Sequence, residues 1–172
     1  PADFDVRSRD GVAADWPITY AELEPYYART DAEIGVSGLG GNPAYPEGND
    51  PPLPALPIGA VGMRAARGLH RLGWHWWPET NAIVSVSHRG RHPCVQRGTC
   101  GSGCNEGAKS SIDRTHWRGF VERGGRLVTG ARVRRIVLDD QGLACGALWV
   151  DARGVEQFQA ADIVLCAANG IG

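Results

Sequence analysis

Cys94, Cys100 and Cys104 fall within eleven residues, with five and then three residues between them, in a stretch that runs from His92 to Asp113. Gly98, Gly101, Gly103 and Gly107 are set among them. Thiolates are soft ligands, suited to iron–sulfur clusters and to zinc. Glycines in a short loop let the backbone bend until several sulfurs converge, or let the loop pass close to a flat ligand. The residues alone leave three arrangements open: a cluster on the three thiolates, zinc held by them with His92 or His88, or free thiols in a tight loop. The chain has five cysteines, and an odd number does not suggest a disulfide framework.

The elements that must hold this loop are marked on both sides of it. Thr19 followed by Glu22 fits a capping box, and Leu23, Tyr26, Tyr27, Thr30 and Ile34 recur at helical spacing, so a helix is predicted from Tyr20 to Ile34 and ended by Gly35. Pro25 inside it removes a hydrogen bond and is expected to kink the first turns. Before it, residues 1–15 read as polar and irregular, with Asp10-Gly11 as a turn signal. Residues 37–57 carry prolines at six positions and no periodicity, which predicts a long surface loop or lid. Ile58, Val61, Ala65, Leu69 and Leu72 then mark a helix closed by Gly73, on which His70 reads as packed or solvated.

Trp74, Trp76 and Trp77 lie close together around His75, and Ala82 to Ser87 alternates as a strand would. The aromatic groups suit either the wall of a sugar or alcohol pocket or simple burial of surface. After the loop, Ser110 or Ser111 is expected to cap a helix through about Glu122, stopped by Gly124-Gly125. Strands are predicted near Arg126–Thr129, Arg132–Leu138, Leu143–Val150 and Val155–Gln159, forming an antiparallel meander. The run Ile163–Cys166 reads as a fully buried parallel strand, and Cys145 and Cys166 as small buried hydrophobes.

With 172 residues, 42% of them hydrophobic, the chain can bury one ordinary core, and its net charge of −1 argues against a nucleic-acid or anionic-membrane footprint. Arg132, Arg134 and Arg135 read as a solvated strand face. No apolar run approaches the length of a membrane span.

Three segments, in order, resemble one family. Cys100-Gly-Ser-Gly-Cys104-Asn-Glu-Gly-Ala-Lys-Ser-Ser with Ile112-Asp-Arg-Thr-His-Trp117, Asp15-Trp-Pro-Ile-Thr-Tyr-Ala-Glu-Leu-Glu-Pro-Tyr-Tyr27, and Ile163-Val-Leu-Cys-Ala-Ala-Asn-Gly-Ile-Gly172 are similar to the glucose-methanol-choline (GMC) family of FAD-dependent oxidoreductases. The nearest branch is that of bacterial gluconate, sorbitol and glucose dehydrogenase large subunits. The resemblance implies an α/β fold, α+β in this stretch, with a β-meander, a returning parallel strand and part of a substrate cap. It divides the chain into residues 1–91, a cap region containing the loop 37–57, and residues 92–172, the cysteine loop with part of the FAD-binding domain. The family's G-x-G-x-x-G turn is missing, since Gly38-Leu-Gly40-Gly41 has the wrong spacing. Beginning with Pro1 and stopping within a recognisable turn, the chain reads as an internal piece of a longer protein.

The resemblance also assigns roles. Val133, in Thr129-Gly-Ala-Arg-Val133-Arg-Arg-Ile136, stands where the family reads the adenine edge of FAD with main-chain groups, and Ala167 and Ala168 stand at a later cofactor contact. Asn169 replaces the usual glycine there. The spacing of Cys94, Cys100 and Cys104 matches the branch that holds a three-iron, four-sulfide (3Fe–4S) cluster, although His92-Pro93 and Val95 stand where some relatives carry extra cysteines. None of His70, His75, His88, His92 and His116 matches the family's catalytic histidine, expected beyond Gly172. The implied activity is oxidation of an alcohol, polyol or sugar by hydride transfer to FAD, with cytochrome c or a quinone as electron acceptor. A zinc-holding structural module and a cluster-free flavin oxidase are the alternatives.

Overall fold

A computed structural model describes residues 2–45, 48 and 50–169. The polypeptide forms two compact units, Pro1–Glu122 and Arg123–Gly172. Helices and small sheets are mixed, as the α/β reading requires.

In the first unit a 3-10 turn, Ala2–Phe4, leads into the short helix α1, Val6–Asp10. The sequence suggests irregular chain here; tertiary contacts supply the order that periodicity does not. The Asp15 carboxylate accepts hydrogen bonds from the Ser8 amide (3.0 Å) and hydroxyl (2.6 Å), and the Phe4 ring meets those of Trp16 and Tyr20. Helix α2, Tyr20–Ile34, begins on the expected box: Thr19 Oγ1 accepts from the Glu22 amide (3.3 Å) and Glu22 Oε2 from the Thr19 amide (2.7 Å). It runs through Pro25 and ends at Gly35, whose φ of 74° lies in the left-handed region.

The proline-rich segment is not a loop along its whole length. Its ends form a short parallel pair, β1 (Ser37–Gly38) and β2 (Leu53–Pro54), in which Ser37 and Leu53 are buried. Pro46, Glu47 and Asn49 lie outside the described residues. Helix α3, Gly59–Arg71, closes as predicted: past Leu72 the Gly73 amide donates to the His70 carbonyl (3.1 Å) and that of Trp74 to the Leu69 carbonyl (3.0 Å).

Residues 82–87 do not make the predicted strand. Their neighbourhood pairs with three different partners in isolated bridges, Ser37 with Asn81, Ile83 with Lys109 and His88 with Arg91, so no ladder propagates. The predicted helix after Ser111 is broken at His116 into α4 (Ile112–Thr115) and α5 (Trp117–Glu122). At the break the Thr115 hydroxyl lies 3.2 Å from the Ser111 carbonyl and 2.8 Å from His116 Nδ1, local bonds of the kind that compete with a continuing helix.

The second unit is the antiparallel meander β3 (Arg132–Leu138), β4 (Ala144–Val150) and β5 (Glu156–Ala160). Both hairpins turn on an aspartate. Asp139 Oδ1 accepts from the amides of Gln141 and Leu143 (2.9 Å each), and Asp151 Oδ1 from those of Arg153 (2.9 Å) and Val155 (3.0 Å). Two predicted strands are absent. Residues 126–129 have no regular structure, with Leu127 and Val128 exposed, and residues 163–166 likewise have none and pair with no strand, with Ile163 and Leu165 each 87% exposed. A buried parallel strand needs neighbours in register, and the described residues of this unit supply only the three consecutive antiparallel strands. Cys166 is therefore exposed rather than buried, while Cys145 is half-buried on β4. No described helix is long and apolar enough to cross a membrane.

Candidate functional site

The cysteine loop is clasped at both ends by one residue. The Val84 amide donates to the Ala108 carbonyl (3.0 Å) and the Val84 carbonyl accepts from the Cys94 amide (2.9 Å), so the loop's entry and exit are tied to the same residue. The Val84 side chain is fully buried with Ala108 and Leu53, and Cys94, Cys104 and Ile83 pack against that cluster. Apolar burial thus fixes the base of a loop whose own residues are polar.

Further bonds set its interior. Arg97 Nε donates to Glu106 Oε1 at 2.6 Å across the loop, and Lys109 Nζ donates to the Cys100 carbonyl at 2.8 Å. Gln96 adopts a left-handed conformation (φ 54°), held by its amide on Cys94 Sγ (3.3 Å) and its side-chain amide on the Pro57 carbonyl (2.5 Å). Gly107 (φ 71°) turns the chain so that the amide of Lys109, and then those of Ala108, Gly107 and Glu106, face Cys104. These donors favour the thiolate and hold the Cys104 thiol below its ordinary value, against the opposing effect of burial.

Behind the loop sits a clamp that the sequence did not announce. Arg91 donates from Nη1 to Ser110 Oγ (2.7 Å) and from Nη2 to the Ile34 carbonyl, and Ser110 Oγ donates to that same carbonyl (2.7 Å). Burial and the neighbouring Arg89 push the Arg91 guanidinium below its ordinary value. His88 Nε2 reaches the Ala32 carbonyl at 3.0 Å. The end of α2 is thereby capped by residues on both sides of the loop. Nothing in one-dimensional spacing signals this, because Ile34 and Ser110 are 76 residues apart.

Cys94, Cys100 and Cys104 all line one concavity of about 20 Å³. Among the described residues no three His, Cys, Asp or Glu side chains are placed to hold a metal ion. The structure brings the three thiols to one place without assembling them as ligands, and a cluster does not fit the loop as it stands.

Val133, the position that the resemblance assigns to FAD, lies on β3 opposite Trp149, next to a register shift before Arg135, and is 61% exposed. β3 is an edge strand, with β4 on one side and no strand on the other among the described residues. Its open edge presents main-chain donors and acceptors, the groups that adenine-edge recognition needs. Ala167 and Ala168 lie exposed in the unpaired segment after β5, and Gly170, Ile171 and Gly172 are outside the described residues. Val133 therefore lies on a strand with an open edge, while among the described residues no strand brings the two alanines back beside β3.

Comparison with known proteins gives a consistent picture. A family model described as GMC oxidoreductase matches residues 67–171. The 2-methyl-1,2-propanediol dehydrogenase of Mycolicibacterium austroafricanum is 41% identical over 177 aligned residues, covering 100% of this chain and 32% of the relative. The fructose dehydrogenase large subunit of Gluconobacter japonicus is 33% identical over 63% of this chain and 20% of its own length. The 6'''-hydroxyparomomycin C oxidase of Streptomyces lividus is 30% identical over 99% of this chain and 32% of its own length. The chain spans at most about a third of the length of these relatives.

Proposed function

The chain belongs to the GMC oxidoreductase family, and from that premise we propose that it is the middle part of an FAD-dependent dehydrogenase acting on CH–OH groups. The carrying observation is the 41% identity along the whole chain to a protein named as a diol dehydrogenase. In this reading residues 1–91 belong to the substrate side, and residues 92–172 carry the cysteine loop and part of the flavin domain.

FAD, when bound, supplies the acceptor for the hydride that leaves an alcohol carbon. The contribution of this chain is to bind and orient. The open edge of β3 is where main-chain groups at Val133 would meet the adenine, and Ala167 and Ala168 would become the later contact only once their segment is brought beside β3. The hydroxyl proton must pass to a base, and no histidine of this chain is assigned that task. A cytochrome c or quinone is the proposed acceptor of the electrons.

Because the three thiols line one concavity without being assembled as ligands among the described residues, no electron transfer runs through a cluster in this reading. That arrangement, together with a relative named as an oxidase, favours a second reading in which reduced flavin passes its electrons to oxygen. The parent protein decides between them. A yellow flavin band bleached anaerobically by a polyol supports the family chemistry, and its absence refutes it. Dye reduction without oxygen uptake supports the dehydrogenase; stoichiometric oxygen uptake supports the oxidase. Iron with acid-labile sulfide on purification would require the cysteine loop to open.

A further inference from the structure

A second site lies in the first unit, away from the sulfurs. An open groove of about 1680 Å³ runs between α2, the segment after β1 and residues 75–80. Its volume exceeds that of an ordinary small-ligand pocket and suits more than one sugar-sized ring. Among the aromatic side chains on its walls Tyr27 and Tyr45 are exposed (48% and 72%), while Tyr20, Trp76 and Trp77 are half-buried. Polar contacts fix them in place. Trp77 Nε1 donates to the Leu39 carbonyl (2.8 Å), His75 Nε2 lies 2.9 Å from Asn42 Oδ1, and the two rings stack 6.1 Å apart at 19°. The loop and the tryptophan-rich segment therefore hold one another, and the ring faces are set before any ligand arrives.

The charge of the groove is one-sided. Asp31, Asp50 and Glu79 line it, against one guanidinium among the described lining residues, that of Arg29, which is already paired with Glu33 at 3.0 Å. Asp50 is seated close over Gly40, where a Cβ would collide with its carboxyl. Burial pushes the Asp31 carboxyl up, the behaviour of an acid with no cation beside it. Aromatic faces stack on the apolar faces of sugar rings, carboxylates accept bonds from hydroxyls, and unneutralised carboxylates attract an ammonium and repel an acid.

We propose that this groove binds a polyhydroxylated ligand that carries an amine, in preference to the neutral sugar, and rejects the corresponding sugar acid. The inference rests on the reading of this region as the substrate side and narrows the substrate class of that reading. Its test is direct binding, which needs neither flavin nor turnover. The full chain is titrated by calorimetry with glucosamine, glucose and gluconate, which share one hydroxyl frame and differ in charge.

Saturable binding in that order is expected, with at least a tenfold span in Kd between the first and the last at low salt, narrowing as salt is added. Asp31→Asn with Glu79→Gln should reduce the span to about twofold while glucose binding persists. Trp77→Phe should weaken all three ligands several-fold. Circular dichroism checks that each variant keeps its helices. Absence of saturable binding to any of the three, gluconate binding as tightly as glucosamine, or an unchanged span in the carboxylate variant each overturns the proposal. A parent protein that oxidises polyols while this groove binds nothing would refute only this inference, and binding with no flavin chemistry would refute only the reading it rests on.

Discussion

The cysteine loop and the meander are held in opposite ways. Around the loop the fixing bonds join residues far apart in sequence, Ile34 to Ser110 across 76 positions and Ala32 to His88 across 56. In the meander the turn bonds span four positions, from Asp139 to Leu143 and from Asp151 to Val155. The first arrangement exists only once the unit has folded, whereas the second is written into each hairpin. A loop whose thiols are poised by distant contacts can respond to its surroundings. A sheet encoded locally can present the same open edge throughout.

The largest expected effect tests this difference with one substitution placed twice. Gly35 and Gly154 both have φ in the left-handed region, at 74° and 82°. A Cβ on Gly35 would meet His88 Cδ2 at 2.6 Å, Val84 Cγ1 at 2.9 Å and Arg91 Nη2 at 3.0 Å, while one on Gly154 would meet nothing within 4 Å. Gly154→Ala should cost only the backbone strain, about 1 kcal/mol. Gly35→Ala adds overpacking against the clasp and the clamp, for about 3 kcal/mol in all. Urea denaturation of the two variants measures both; equal losses would show that the loop's supports are no tighter than a surface turn.

Arg91→Met comes next. It removes the charged donor from Ser110 and from the Ile34 carbonyl and should cost about 2 kcal/mol. Amide exchange should rise across residues 94–110 and stay unchanged in β3–β5. Arg91→Lys, a point charge without the forked geometry, should recover part of the protection. Exchange that rises equally in both units would remove the distinction between them.

The same distinction explains what could be read from the sequence. Helix α2 was legible because Thr19, Glu22 and Gly35 act within a turn of its ends, and the end of α3 because Gly73 does. The meander was legible because its turns carry Asp and Gly at fixed offsets. Ser37 and Leu53 read as surface loop, since Leu53 is buried by Val84 and Ala108 elsewhere in the chain and Ser37 is bonded through its backbone to Asn81. The break at His116 was invisible to a periodicity that continues through it. Ile163–Cys166 has the composition of a buried strand, but pairing partners are not a property of the run itself. At the site, the gathering of the three cysteines around one concavity was legible; the closeness of its packing, decided by Gln96, Gly107 and the Val84 clasp, was not.

A smaller effect sharpens the comparison at the level of one atom. The Cys104 thiol is held below its ordinary value of 9.0 chiefly by the Lys109 amide, with those of Ala108, Gly107 and Glu106 assisting. Between the folded value and 9.0 the unfolded chain binds more protons, so Cys104 contributes stability that grows as pH rises through this window and is lost as pH falls below it. Iodoacetamide labelling of Cys104, read by mass spectrometry across pH, should have its midpoint below 9.0. Lys109→Met deletes the ammonium on the Cys100 carbonyl but keeps the backbone donor, so the midpoint should not move. A midpoint that climbs in Lys109→Met would assign the effect to side-chain charge instead of loop shape.

The smallest effect belongs to the locally encoded unit. The Asp151 carboxylate is held below the ordinary value of 3.8, first by the Val155 amide and then by that of Arg153. Its contribution is full above 3.8 and disappears as pH falls through the lower folded value, the usual behaviour of a carboxylate that accepts hydrogen bonds. Asp151→Asn retains an acceptor oxygen for the turn amides but has no charge to titrate. The variant should therefore match the parent sheet at acidic pH, fall slightly below it at neutral pH, and lose the acid-dependent slope in β-sheet circular dichroism. Because the turn bonds are confined to residues 151–155, labelling of Cys104 should be identical in the two proteins; a shift there would mean that the hairpin and the sulfur loop are coupled after all.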